Sequence, residues 1–313
     1  MFFLCIGALL IAAKFFMTDV ASGSTDTIFL RLYNKNNSFF DINIQHAEQL
    51  IPQLKSNEQL VLYIHGFKEN ADYEGPRIIS KAYLEKTDHN VLAVDYREIA
   101  DMSYLSSVAL VGDVGKAIAT ALDTIVLSDV NATKVHIIGH SLGSQVAGSA
   151  ARQTKFNVSR ITGLDPAGPL FYLLNTHLSA ADAQFVDIIH TDMGIYGLAM
   201  ATGHVDFYVN GGFRPQPGCS TFASIMSDLD LCSHHRSYKF YAESIINDDF
   251  LGVKCTNKLL IFRGICNQNE VAAMGYKTPS NTRGNYYLKT DAVSPYGQGL
   301  NGIQSYISDD NTI

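Results

Sequence analysis

The chain has 313 residues, 47% of them hydrophobic and 17% charged, a composition that excludes a disordered chain and suits a substantial buried core. The formal net charge is −7 with no basic cluster, which excludes nucleic acid as a partner. No internal repeat, low-complexity tract or linker occurs, so residues 24–313 are expected to form one domain.

Residues 1–13 form an apolar run that is short for a membrane span and suits the core of a signal peptide. Small residues at Ala21 and Gly23 permit cleavage before Ser24, so residues 1–23 are expected to be a signal peptide; an uncleaved anchor interrupted by Lys14 is the alternative. Residues 28–33 are strand-like, as are 60–64, which run into His65-Gly66-Phe67. Residues 77–86 read as helix, 90–94 as a strand ending at Asp95, and 107–127 as one long helical pattern. The apolar, β-branched run 134–138 is a strand, and 142–152, rich in Ala and Gly, is a helix. Residues 160–164 form a strand ending at Asp165-Pro166, and 185–189 another ending at His190-Thr191-Asp192. Strands separated by helices predict an α/β fold: a mostly parallel central sheet, helices on both faces, and function at the C-terminal ends of the strands.

Between strand 134–138 and helix 142–152 stands Gly139-His140-Ser141-Leu142-Gly143. A G-x-S-x-G in that context is the nucleophile elbow of an α/β-hydrolase fold. Side chains beside Ser141 would collide with the adjoining strand or helix, hence the two glycines. Ser141 needs a base, and the base an orienting acid, in the chain order Ser, acid, His. Asp165 closes the strand after the elbow helix, on the rim that carries Ser141; Asp95, Asp192 and Asp206 are rival acids, and Asp95 has the wrong order. Downstream of Asp165, candidate bases are His177, His190, His204, His234 and His235. His234 and His235 follow Cys232 and precede a helix expected to start near Arg236; a disulfide there would make their loop rigid. Composition does not choose between them. The oxyanion donors are expected to be the backbone N–H groups of Leu142 and of Phe67, in the loop after strand 60–64.

Cys5 lies in the leader, which leaves Cys219, Cys232, Cys255 and Cys266. None forms a C-x-x-C motif, which disfavours zinc and redox roles. Nearest-neighbour pairing gives Cys219–Cys232 and Cys255–Cys266, although two other pairings remain open. Sequons at Asn36, Asn131 and Asn157 are candidate N-glycosylation sites and agree with secretion to the extracellular space.

Five segments then appear in order: 137–143, 161–169, 187–192, 203–208 (Gly-His-Val-Asp-Phe-Tyr) and 232–238 (Cys-Ser-His-His-Arg-Ser-Tyr). Together they resemble the catalytic domain of the pancreatic lipase family, including insect lipases and phospholipases A1, over residues 28–288. The resemblance implies a triad of Ser141, Asp165 and His234, because His234 holds the motif position two residues after Cys232. It also implies Phe67 and Leu142 as oxyanion residues. The chain ends soon after the catalytic domain, so no colipase-binding β-sandwich, and no colipase, is expected. Some members bind calcium through two aspartates; Asp182 matches one, and Ser179 replaces the other, so no cofactor or metal is expected.

By the same resemblance, residues 220–231, inside a Cys219–Cys232 bridge, form the lid. Its 12 residues and the 10 of the facing loop 193–202 are fewer than in triacylglycerol lipases and similar to those of phospholipases A1. A short lid leaves an open cleft able to accept a polar head group. Within the lid, from Ser220 to Leu231, the residues Ile225, Met226 and Leu229 supply apolar surface for a lipid interface. The expected function is a secreted serine lipid esterase at a membrane, micelle or droplet surface, with phospholipase A1 action at the sn-1 ester. The alternatives are a neutral triacylglycerol lipase and a catalytically inactive, yolk-type lipid-binding protein.

Overall fold

One sheet of eleven strands organises the residues described by the computed structural model: 25–35, 38–128, 130–174, 176–255 and 266–307. The expected leader 1–23 and the sequon at Asn36 lie outside them. The strands are β1 (Phe29–Tyr33), β2 (Phe39–Asn43), β3 (Leu60–Ile64), β4 (Asn90–Asp95), β5 (Val135–His140), β6 (Arg160–Leu164), β7 (Phe185–His190), β8 (Val205–Val209), β9 (Leu251–Lys254), β10 (Asn267–Ala273) and β11 (Gly284–Leu288). Their order is β10-β9-β11-β8-β7-β6-β5-β3-β4-β1-β2. All pairings from β11 across to β4 are parallel, and the pairs at both edges are antiparallel.

The central strands are buried on both faces, and this is why they read as unbroken apolar runs. In β3, Leu60, Leu62 and Ile64 enter the core on one face, and Val61 and Tyr63 enter the core on the other. The first face packs on α2 (Val111–Leu127) and α3 (Leu142–Ala151); the second packs on α1 (Glu74–Lys86) and α4 (Cys232–Ile246). The expected α/β-hydrolase architecture is therefore the observed one.

Two expectations are corrected. The pattern over 107–127 is not one helix. A short helix, Tyr104–Ala109, is capped by Ser103, and the chain turns at Leu110 before α2 starts. Ser107 Oγ donates to Ile99 O at 2.7 Å, which ties the short helix to the preceding segment. Apolar spacing continues across the turn, so periodicity does not register it. The second correction concerns α4, which begins at Cys232 rather than near Arg236, so His234 and His235 sit in its first turn and not in a loop.

Candidate active site

The chain leaves β5 and enters α3 through a single strained residue. Ser141 has φ 52° and ψ −121°, a region costly for a side-chain-bearing residue. Neighbouring backbone enforces it. A Cβ on Gly139 would lie 2.5 Å from Gly143 O, and one on Gly143 would overlap the carbonyl oxygens of Ile64 and His65. Ser141 N–H donates to Leu164 O at 3.0 Å, and Ser141 O accepts from Ala167 N–H at 3.1 Å. The turn is thus pinned to the strand that delivers Asp165.

Asp165, at φ 46°, is a second strained residue. Its Oδ1 accepts the N–H groups of Thr191 at 2.9 Å and Asp192 at 3.1 Å, and its Oδ2 accepts from His234 Nδ1 at 2.6 Å. An ionised carboxylate only accepts, so the imidazole proton is on Nδ1, leaving Nε2 as the basic nitrogen. Burial works against protonation of His234, yet the hydrogen bond and charge of Asp165 outweigh it and raise the imidazole above its ordinary range. Ser141 and His234 line one cavity of about 470 Å³ with Phe67, Tyr104, Tyr196 and Met226.

The rival candidates are engaged elsewhere. Asp95 pairs with Arg97, and His190 pairs with Asp206 at 2.8 Å. His177 contacts Leu178 O, and His204 Nδ1 accepts from Val186 N–H. His235 lines the same cavity, but burial depresses it to about 3, and its nearest carboxylate is Glu69 at 3.7 Å. Asp192 lies beside the Asp165–His234 pair, with ligand atoms of the three within 4.8 Å, and its carboxylate is held by Arg214.

Phe67 lies in the loop after β3, with its ring edge-on to Tyr104 at 5.1 Å. Leu142 opens α3, where first-turn N–H groups have no partner within the helix. Among the described residues, neither the Phe67 nor the Leu142 N–H has a protein acceptor. The two loops touch closely, since a Cβ on Gly66 would be 3.0 Å from Ser141 Cβ.

Cys219 pairs with Cys232 and Cys255 with Cys266. The first bridge joins the ends of the predicted lid at a Cα separation of 5.6 Å. Met226 and Leu231 face the cavity, whereas Ile225 and Phe222 are 85% and 90% exposed, and Leu229 is also exposed. Ser220 Oγ accepts the Phe222 N–H at 3.2 Å and turns the start of the lid. Asn131 and Asn157 are exposed. Asp182 gives Oδ2 to Arg152 at 2.7 Å and to the Ser179 N–H at 2.9 Å. A carboxylate already occupied by a guanidinium, facing a serine in place of a second carboxylate, does not fit a hard dication.

Sequence reasoning missed Arg214, Tyr196 and Glu69. Arg214 donates to Asp192 and to Asp230 of the predicted lid, and Tyr196 OH donates to the same Asp230. No spacing rule marks them, because each acts through a partner distant in sequence.

Comparison with known proteins gives one family and a set of relatives. The family described as Lipase matches residues 9–296. Lipoprotein lipase from Gallus gallus is 32% identical over 91% of this chain and 62% of its own length. Pancreatic lipase-related protein 2 from Sus scrofa is 36% identical over 74% of this chain and 54% of its own. Pancreatic triacylglycerol lipase from Mus musculus is 33% identical over 77% of this chain and 56% of its own. The chain thus spans less than two thirds of the length of each.

Proposed function

The chain belongs to the lipase family, and on that premise we propose that it is a secreted serine hydrolase of lipid esters, folded as one catalytic domain after a cleaved leader. The observation that carries the reading is the His234 Nδ1–Asp165 hydrogen bond of 2.6 Å beside a cavity that also holds Ser141. Nε2 of His234 takes the hydroxyl proton as Ser141 Oγ attacks the ester carbonyl. The Phe67 and Leu142 N–H groups donate hydrogen bonds to the carbonyl oxygen as negative charge develops on it. The imidazolium returns the proton to the departing alcohol, leaving an acyl-serine. Water, deprotonated by the same imidazole, then releases the fatty acid and restores Ser141. The two disulfides favour an oxidising, extracellular setting.

Within that class we propose phospholipase A1 action, release of the sn-1 acyl chain of a glycerophospholipid. The support is the 12-residue lid, 220–231, which leaves Ser141 in a cavity bordered by polar groups such as Lys68 and Asp228. A second reading, a triacylglycerol lipase, is favoured by the name of one relative, pancreatic triacylglycerol lipase. Purified protein assayed on phosphatidylcholine, phosphatidylserine and triolein micelles, with and without calcium, separates them. Activity confined to triolein would sink the phospholipase reading. Fluorophosphonate labelling that disappears in Ser141→Ala is expected; a wild type that takes no label would instead support the inactive, lipid-binding alternative.

A further inference from the structure

Glu69 is a buried carboxylate, 5% exposed, two residues beyond Phe67, and the hydrolysis outlined above makes no use of it. Burying a charge without partners is costly, so its contacts must compensate. Its Oε2 accepts the Gly66 N–H at 2.7 Å, and its own N–H donates back to Gly66 O at 3.3 Å. The turn 66–69 is thereby closed on itself, with Phe67 inside it. Its flanks are fixed separately, by Tyr96 OH on His65 O at 2.7 Å and by the Lys68 N–H on Ala100 O at 3.0 Å. Oε1 faces the elbow: His140 Nδ1, one residue before Ser141, is 2.9 Å away. That contact is close but does not meet hydrogen-bond geometry, so it is a polar contact between the two loops rather than an aligned hydrogen bond. A Cβ built on Gly66 would meet Ser141 Cβ at 3.0 Å, His140 Nδ1 at 3.2 Å and Glu69 Oε2 at 3.3 Å. One carboxylate thus braces the loop that carries Phe67 against the elbow that carries Leu142.

We propose that Glu69 is a positioning residue of the oxyanion hole: by holding Gly66, it sets the direction of the Phe67 N–H relative to Ser141. The role rests on the serine-hydrolase reading. Burial opposes the charged form of Glu69, but the adjacent His140 and His235 imidazoles and the Gly66 N–H hold its carboxyl down to about 2. The phenols of Tyr63, Tyr73, Tyr96 and Tyr238 also lie in its field. His234 is faced by Asp165, Asp192 and Glu69, and by the rings of His140, Tyr196 and His235. The negative charge of Glu69 therefore favours the imidazolium.

The test uses Glu69→Ala and Glu69→Gln with p-nitrophenyl butyrate as a soluble ester and a fluorophosphonate as a tetrahedral probe. Glu69→Ala is expected to lower kcat about tenfold or more with KM within about twofold, because an oxyanion donor acts mainly in the transition state. Phosphonylation should slow by a similar factor, since it places charge in the same hole. Glu69→Gln keeps an acceptor for Gly66 and should lose less kcat, while the acid limb of kcat/KM moves to lower pH. A Glu69→Ala kcat within about twofold of the parent overturns the proposal. If that variant does not fold, Glu69→Gln decides: an unmoved acid limb with parental kcat overturns it equally. Esterase activity in the wild type with indifferent Glu69 variants defeats this role alone, whereas a wild type inert toward every ester defeats the hydrolase reading with it.

Discussion

Arg214 grips both carboxylate oxygens of Asp192, through Nε at 2.6 Å and Nη2 at 2.5 Å. Asp192 is fully buried beside the Asp165–His234 pair. Burial pushes its carboxyl above the ordinary range, and the guanidinium opposes that push. The same guanidinium reaches Asp230, within the disulfide loop proposed as the lid, at 2.8 Å, so one side chain ties that loop to Asp192. Arg214→Met would leave Asp192 buried without its cation. Removing one partner of a buried pair costs about 3 kcal/mol, a figure slightly lowered here because the Arg214 side chain is 28% exposed. Urea denaturation is the measurement, and adding Asp192→Asn should recover part of the loss. A variant as stable as the parent would show that the pair adds nothing.

The pH dependence follows from His234. On the proposed reading the base works as neutral imidazole, and its protonation is favoured in the folded chain. Activity is therefore expected to rise through an acid limb above the ordinary imidazole value of about 6.5. His235, held near 3, stays neutral across that range and contributes no limb. A pH series of kcat/KM on a soluble ester decides the point; an acid limb below the ordinary value contradicts the Asp165–His234 assignment.

The Cys219–Cys232 bridge closes a loop of sequence separation 13 that contains the whole proposed lid. Its loss frees the unfolded chain and should lower stability by about 3 kcal/mol on the loop-entropy estimate. The bridge also holds Cys232 at the start of α4, two residues before His234. Cys219→Ser with Cys232→Ser is accordingly expected to unfold earlier in a thermal scan and to lose esterase activity at temperatures where the fold survives. Parental activity at such a temperature would mean that α4 positions His234 without the bridge.

Those three tests rest on residues of unequal visibility in the sequence. Ser141 and Asp165 were legible because tight strand ends demand particular residue types: flanking glycines at one, a following proline at the other. The central strands were legible because burial on both faces leaves continuous apolar runs. The edge strand β2 was not, since Phe39, Phe40 and Asp41 are all exposed and no alternation marks it. Arg214 and Glu69 were hidden for another reason. Each is an ordinary charged residue in a loop, and its role arises from partners brought close only by folding, Asp192 in one case and His140 in the other.

The elbow offers the sharpest contrast between two identical substitutions. An alanine at Gly143 would place its Cβ into the carbonyl oxygens of Ile64 and His65. These are backbone atoms of β3 and the loop behind it, and they have no rotamer by which to yield. Either the turn opens or β3 shifts, so Gly143→Ala should cost upwards of about 3 kcal/mol, the upper range for overpacking, and should abolish activity. Gly112, near the start of α2, has nothing within 4 Å of its notional Cβ. There the same change only restricts the unfolded chain and improves helix propensity, so Gly112→Ala should stabilise by roughly 0.5 kcal/mol. Measuring both by urea denaturation tests whether the glycine at position 143 is required by space. A Gly143→Ala protein as stable as Gly112→Ala would show that the turn relaxes, and that the strain at Ser141 is not held in place by its neighbours.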